Sequence, residues 1–197
     1  MAREHARILC SVWRPDSDFR TLTPDAQRLY FLLLSQRELN NAGVMPVMVN
    51  KWARCSAGTT SGDVEKALAE LAEHRYVLVD WDTEELFVRT FMRNDGILKH
   101  PYTRRSALRS AEQIESPMLR REAAADLLRT GHPEGIETAS RLDPDATQTT
   151  HRDAIDSGTQ TTHRDAIDSG TQTNTAAGDV RATVECFRKL FEKAAKR

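Results

Sequence analysis

Long apolar runs are missing from this 197-residue chain; the longest is Leu29–Leu34. A bilayer-spanning helix needs roughly 18–20 apolar residues, so no membrane partner is expected. Met1–His5 is polar and no apolar signal core follows, which leaves the cytoplasm as the expected location. Cysteine is scarce: Cys10, Cys55 and Cys186 are far apart and odd in number, with no CxxC or Cys/His spacing. That excludes a disulfide framework and a zinc motif and leaves reduced thiols. A Gly-rich phosphate loop, GxSxG and HExxH are all absent, so neither catalysis nor a cofactor is expected.

Aromatic residues are few, 6% of the chain, and unevenly placed. Trp13, Trp52, Trp81 and all the tyrosines fall within residues 1–130, and 131–179 has no Phe, Trp or Tyr. The folded part is therefore expected over 1–130, with the three tryptophans as structural residues. Residues 131–179 read as a disordered linker. They hold the twelve-residue unit TQTTHRDAIDSG twice, at Thr147–Gly158 and Thr159–Gly170. One isoleucine per unit buries too little to offset chain ordering at about 1–2 kcal/mol per residue. A stacked solenoid would need an apolar core that these repeats lack.

Net charge is also small, −1, but it is segregated. Residues 21–86 carry six basic and ten acidic residues, net −4. Residues 87–121 carry eight and three, net +5; residues 122–146 carry two and six, net −4; residues 180–197 carry six and two, net +4. A ligand senses the local field within roughly 8–10 Å, so the two basic segments are candidate polyanion contacts. In 180–197, Val180, Val184, Phe187 and Phe191 recur at helical spacing among Lys and Arg. That is a basic amphipathic helix, with Val184, Phe187 and Phe191 as candidate partner-binding residues. Docking back on the main domain, or on an anionic membrane surface, are the alternatives.

Residues 20–92 carry an ordered set of signals. Thr23-Pro24 starts a helix expected over Asp25–Leu39. Val44–Val47, broken by Pro46, is at most an edge strand. Val49–Cys55 reads as a short helix, Ser56–Gly62 as a turn, and Asp63–Arg75 as a third helix capped by Ser61 or Asp63. Tyr76–Asp80 and Leu86–Phe91 flank an acidic turn and read as a hairpin. The fold class is mainly α with a small β-hairpin (α+β), in the order of a winged helix-turn-helix domain. After it come an Asn94–Gly96 turn, a basic helix over Thr103–Ala111, and a helix over Glu112–Leu128 that restarts at a Ser116 cap.

The runs ARILCSVWRPDSDFRTLTPDAQRLYFLLLSQ, ALAELAEHRYVLVD and TEELFVRTFMRNDGILKHPY, followed by IESPMLRREAAADLL, resemble actinobacterial phage proteins. These are the helix-turn-helix DNA-binding or replisome-organiser-like (replication initiation) proteins. The resemblance covers about residues 6–130 and excludes the repeats. It implies binding to double-stranded DNA, with recruitment of replication machinery or regulation of phage transcription.

In a helix-turn-helix the start of the third helix meets base edges, which makes Thr59, Thr60, Ser61 and Lys66 candidates. Glu65, Glu70 and Glu73 on that helix, and Asp80, Asp82, Glu84 and Glu85 around the wing, oppose phosphate. Positive charge comes instead from Lys51, Arg54, Lys99, Arg104 and Arg105, the candidate phosphate contacts. Tyr102 either stacks on a base or packs.

Three functions follow. A replication initiator would recruit a helicase or loader through 180–197, across a 33-residue tether, 147–179, of roughly 30 Å reach. A transcription regulator of the same fold would form a homodimer on a palindromic site. A protein-interaction adapter would not bind DNA; the acidic third helix and wing favour it.

Overall fold

A computed structural model describes residues 5–144. The repeats, the helix expected at 180–197, and Val184, Phe187 and Phe191 lie outside the described residues. The described chain is mainly helical with one small antiparallel sheet, an α+β arrangement.

Helix α1 is Pro24–Leu34. Thr23 caps it by accepting from the Ala26 N–H, and Pro24 takes the first position, where an N–H has no helical partner. The helix stops short of the expected Leu39. Ser35 Oγ and Gln36 Nε2 both donate to the Leu32 carbonyl, and the chain turns. Leu39 is still buried, but from a turn built on the Asn40 side chain, which accepts from the Ala42 and Val44 N–H groups.

Strand β1, Val44–Pro46, lies at one edge of the sheet, where a proline disrupts least. Gly43 enters it at φ +85°, and a Cβ there would sit 2.8 Å from Phe91 Cβ and 3.0 Å from the Val88 carbonyl. Only glycine fits this approach. Helix α2, Val49–Ala53, is one turn long and is pinned by fully buried Trp52. Helix α3, Ser61–Glu73, buries Val64, Ala67, Leu68 and Leu71, the apolar face read from its 3.6-residue period.

Strands β2, Val77–Asp80, and β3, Glu85–Val88, form the expected hairpin. The sheet order is β1-β3-β2, so β3 is central and Leu86, Phe87 and Val88 are all buried. The second strand ends earlier than Phe91. Thr90, a β-branched residue, adopts φ 60°, which breaks the strand and starts the short helix α4, Phe91–Asn94.

Helices α5, Pro101–Glu112, and α6, Pro117–Arg129, follow, with Ser116 capping α6 by accepting from the Leu119 N–H. Helix α7, Pro133–Leu142, corrects the linker boundary expected at residue 131. Its Thr138, Ala139 and Leu142 are buried, and it packs on α6 and α5. The segment lacks aromatics but not helix signals: Pro133 and Glu134 open it and Ala139 and Leu142 face inward.

The tryptophans divide. Trp52 is in the core and Trp81 is half-buried, but Trp13 is 52% exposed. Its ring meets Phe19 edge-on at 5.6 Å between centroids, so it covers the aromatic cluster from outside.

Candidate nucleic-acid interface

The structure places the candidate residues in two groups. One sits on α2, α3 and the turn between them; the other sits on α5 and the short 3-10 turn Ile97–Lys99 before it.

In the first group, Trp52 and Ala53 face inward, so Lys51 and Arg54 turn outward. Lys51 is paired with Glu38, which holds the Glu38 carboxyl below the usual carboxylate range through hydrogen bonding. Lys51, a candidate phosphate contact, therefore already has a carboxylate partner within the fold. Arg54, at the C-cap of α2, is exposed and makes no salt bridge among the described residues. The same is true of Lys66 on α3.

The hydroxyls are mostly engaged. Thr60 is the N-cap of α3 in place of Ser61 or Asp63. It accepts from the Asp63 N–H while the Asp63 carboxylate accepts from both the Thr60 N–H and hydroxyl, a reciprocal capping box. Those Thr60 hydrogen bonds hold the Asp63 carboxyl below its usual range. Ser61 Oγ donates to Asn50 Oδ1 at 2.7 Å, tying α3 to α2. Thr59 Oγ1 accepts a long contact, 3.5 Å, from Arg28. Thr60 and Ser61 therefore build the turn, and in this structure their hydroxyls are engaged within the chain.

Three of the acids set against phosphate are likewise occupied. The Glu70 carboxylate accepts from the Thr23 N–H and from the Thr23 hydroxyl, both at 2.6 Å, at the start of α1. There it answers the positive end of the helix dipole. Asp80 and Glu85 face each other across the hairpin, which is unfavourable for like charges. Donors converge on both. Ser116 Oγ and the Asp82 N–H serve Asp80, while the Glu115 and Ser116 N–H groups and Thr83 Oγ1 serve Glu85. The like-charge cross-strand pair was the sequence signal for this anchor. Glu65, Glu73, Asp82 and Glu84 make no such hydrogen bonds among the described residues; Glu65 is half-buried and the other three are exposed.

In the second group the fold engages more of the basic residues. Arg104 is only 15% exposed and grips Glu134 of α7 with two hydrogen bonds, 3.0 and 3.1 Å. It clamps one helix to another, so the fold commits this candidate phosphate contact to Glu134. The bond holds the Glu134 carboxyl below its usual range, helped by the charges of His132 and Arg105. The same logic runs along the basic segment. Arg89 lies 3.6 Å from Glu122 and Arg93 lies 3.5 Å from buried Asp126. Glu112 meets Arg141 at 3.1 Å. The +5 segment and the −4 segment that follows it thus fold onto each other. Lys99, Arg105 and Arg109 are left exposed, without a salt bridge among the described residues, and Tyr102 is 81% exposed. Tyr102 therefore does not pack.

Among the described residues, no group of three or more His, Cys, Asp or Glu is arranged to hold a metal, and no helix is long and apolar enough to cross a membrane. No protein-family model, curated protein or solved structure matches this chain.

Proposed function

We propose that this chain binds double-stranded DNA as a winged helix-turn-helix protein and acts as a phage replication initiator or organiser. The observation that carries the reading is the pair Arg54 and Lys66. They stand exposed on either side of the α2–α3 turn, while the neighbouring Lys51 is neutralised by Glu38. Glu70 and Asp63 are drawn into helix caps, which removes part of the repulsion that the third helix would offer phosphate. The recruitment role rests on the amphipathic sequence pattern of residues 180–197, with a helicase or loader as partner.

The test is capture of sheared source DNA by the full chain at two salt concentrations, followed by sequencing. One enriched locus with iterated sites supports an initiator; several promoter-proximal loci support a transcription regulator instead. Arg54→Ala and Lys66→Ala should each reduce the slope of log affinity against log salt by about 0.9. Affinity that is flat in salt, or unmoved by both substitutions, rejects the reading. The adapter reading keeps one observation in its favour: Glu65, Glu73, Asp82 and Glu84 still give this end of the domain acidic character. Retention of no DNA at low salt would select it.

A further inference from the structure

The solvent face of α5 carries Tyr102, Arg105 and Arg109, at positions i, i+3 and i+7 of one helix. They share a face, with Arg105 and Arg109 one turn apart, about 5–6 Å between Cβ atoms. Tyr102 is 81% exposed, far more than any other large apolar side chain of the described residues. Both arginines are exposed and without a salt bridge among the described residues, and Lys99 lies just before the helix in the same condition. The contrast with their neighbours is informative. Arg89, Arg93 and Arg104 all meet a carboxylate of α6 or α7, and the acid on α5 itself, Glu112, is bound to Arg141. The fold pairs Arg89, Arg93 and Arg104 with carboxylates and leaves one cationic row beside one bare aromatic ring.

We propose that this row is a binding surface for single-stranded DNA, with Tyr102 stacking on an unpaired base and Arg105, Arg109 and Lys99 meeting the adjoining phosphates. Charge complementarity selects a polyanion. The exposed ring selects a strand whose bases are free, because a duplex offers no base face to it. The choice of DNA over RNA rests on the function proposed above. The surface itself lies on α5 and uses none of the residues of α2 and α3, so the failure of one idea can be told from the failure of the other.

The full chain is titrated against a labelled oligothymidylate of about 15 nucleotides, within the size a single-strand site covers. Wild type should bind, and Tyr102→Ala should weaken binding about 5- to 150-fold, the range for loss of one stacked base. Tyr102→Phe should keep the affinity, because phenylalanine also stacks. Arg105→Ala with Arg109→Ala should lower the salt slope by about 1.4, at about 0.7 per phosphate of a single strand. Duplex binding, measured in parallel, should depend on Arg54 and Lys66 and not on Tyr102. An oligothymidylate affinity unchanged in Tyr102→Ala, with the thermal melt also unchanged, overturns the proposal. So does tighter binding of oligouridylate than of oligothymidylate. Loss of the duplex effects alone would overturn only the helix-turn-helix reading.

Discussion

The buried carboxylate of Asp126, 1% exposed, accepts a 2.7 Å hydrogen bond from the backbone N–H of Thr90, whose φ is 60°. A β-branched residue in the left-handed region costs about 1–3 kcal/mol, and it persists where its surroundings fix it. Asp126 supplies that fixing from α6, and Arg93 and Arg129 balance its charge at 3.5 and 3.6 Å. Asp126→Ala should therefore destabilise the fold by about 1–3 kcal/mol, because it leaves the Thr90 N–H without its acceptor and frees a strained turn, while the exposed Arg93 and Arg129 turn to water. Urea unfolding of the full chain measures this. A loss below about 1 kcal/mol would show that the turn holds without the carboxylate.

Glu70→Ala should cost about 1–2 kcal/mol, the size of a lost helix cap. Thr23→Ala should cost a similar amount. The double variant should cost less than the two together, since both remove the hydrogen bond from the Thr23 hydroxyl to Glu70, while the Thr23 N–H bond is lost only with Glu70. Strict additivity in a double-mutant cycle would mean that the two residues act separately.

Ser116 is fully buried, donates to Asp80 and accepts from the Leu119 N–H. Ser116→Ala removes a cap and leaves Asp80 short of a donor, so about 1–3 kcal/mol should be lost. Glu115→Ala on the same link contributes only a backbone N–H and should be close to neutral.

Acid should weaken the domain. The carboxyls of Glu38, Asp63 and Glu134 are all held low by hydrogen-bonded partners. The unfolded chain therefore binds more protons in the carboxylate range, and stability rises with pH there. The contribution is fully present above the ordinary carboxyl values, about 4–4.5, and is lost as pH falls below them. At the alkaline end, burial and then Tyr76 push the Tyr30 phenol up to about 12. A raised value stabilises below the unfolded value of about 10 and is lost as pH climbs towards 12. Tyr30→Phe should flatten that alkaline decline in thermal melts. An identical decline in the variant would assign it to other groups.

The third helix was legible because Val64, Ala67, Leu68 and Leu71 repeat at helical spacing and need no distant partner to be recognised. Its cap is Thr60 and not the expected Ser61 or Asp63, since all three suit the position and only the backbone geometry chooses. Leu39 shows why the end of α1 was missed: it keeps the apolar pattern while leaving the helix. Arg104 shows the larger gap. Its charge reads the same whether it meets phosphate or Glu134, and the pairing depends on α7, a helix without an aromatic anchor. Segregated charge in this chain records which segments fold together as much as what they bind.

The central position of β3 bears on how the domain is made. Val44 pairs with Phe87, and all of α2, α3 and β2 lies between them in the chain. A ribosome therefore releases both outer strands before the strand that joins them. Until Glu85–Val88 emerges, β1 and β2 have no shared neighbour, and their backbone groups face water. A fragment ending at Asp80 would contain α1, α2 and α3 and no sheet to hold them. The smallest unit that can fold must reach at least Val88, and Asp126 on Thr90 extends that requirement into α6.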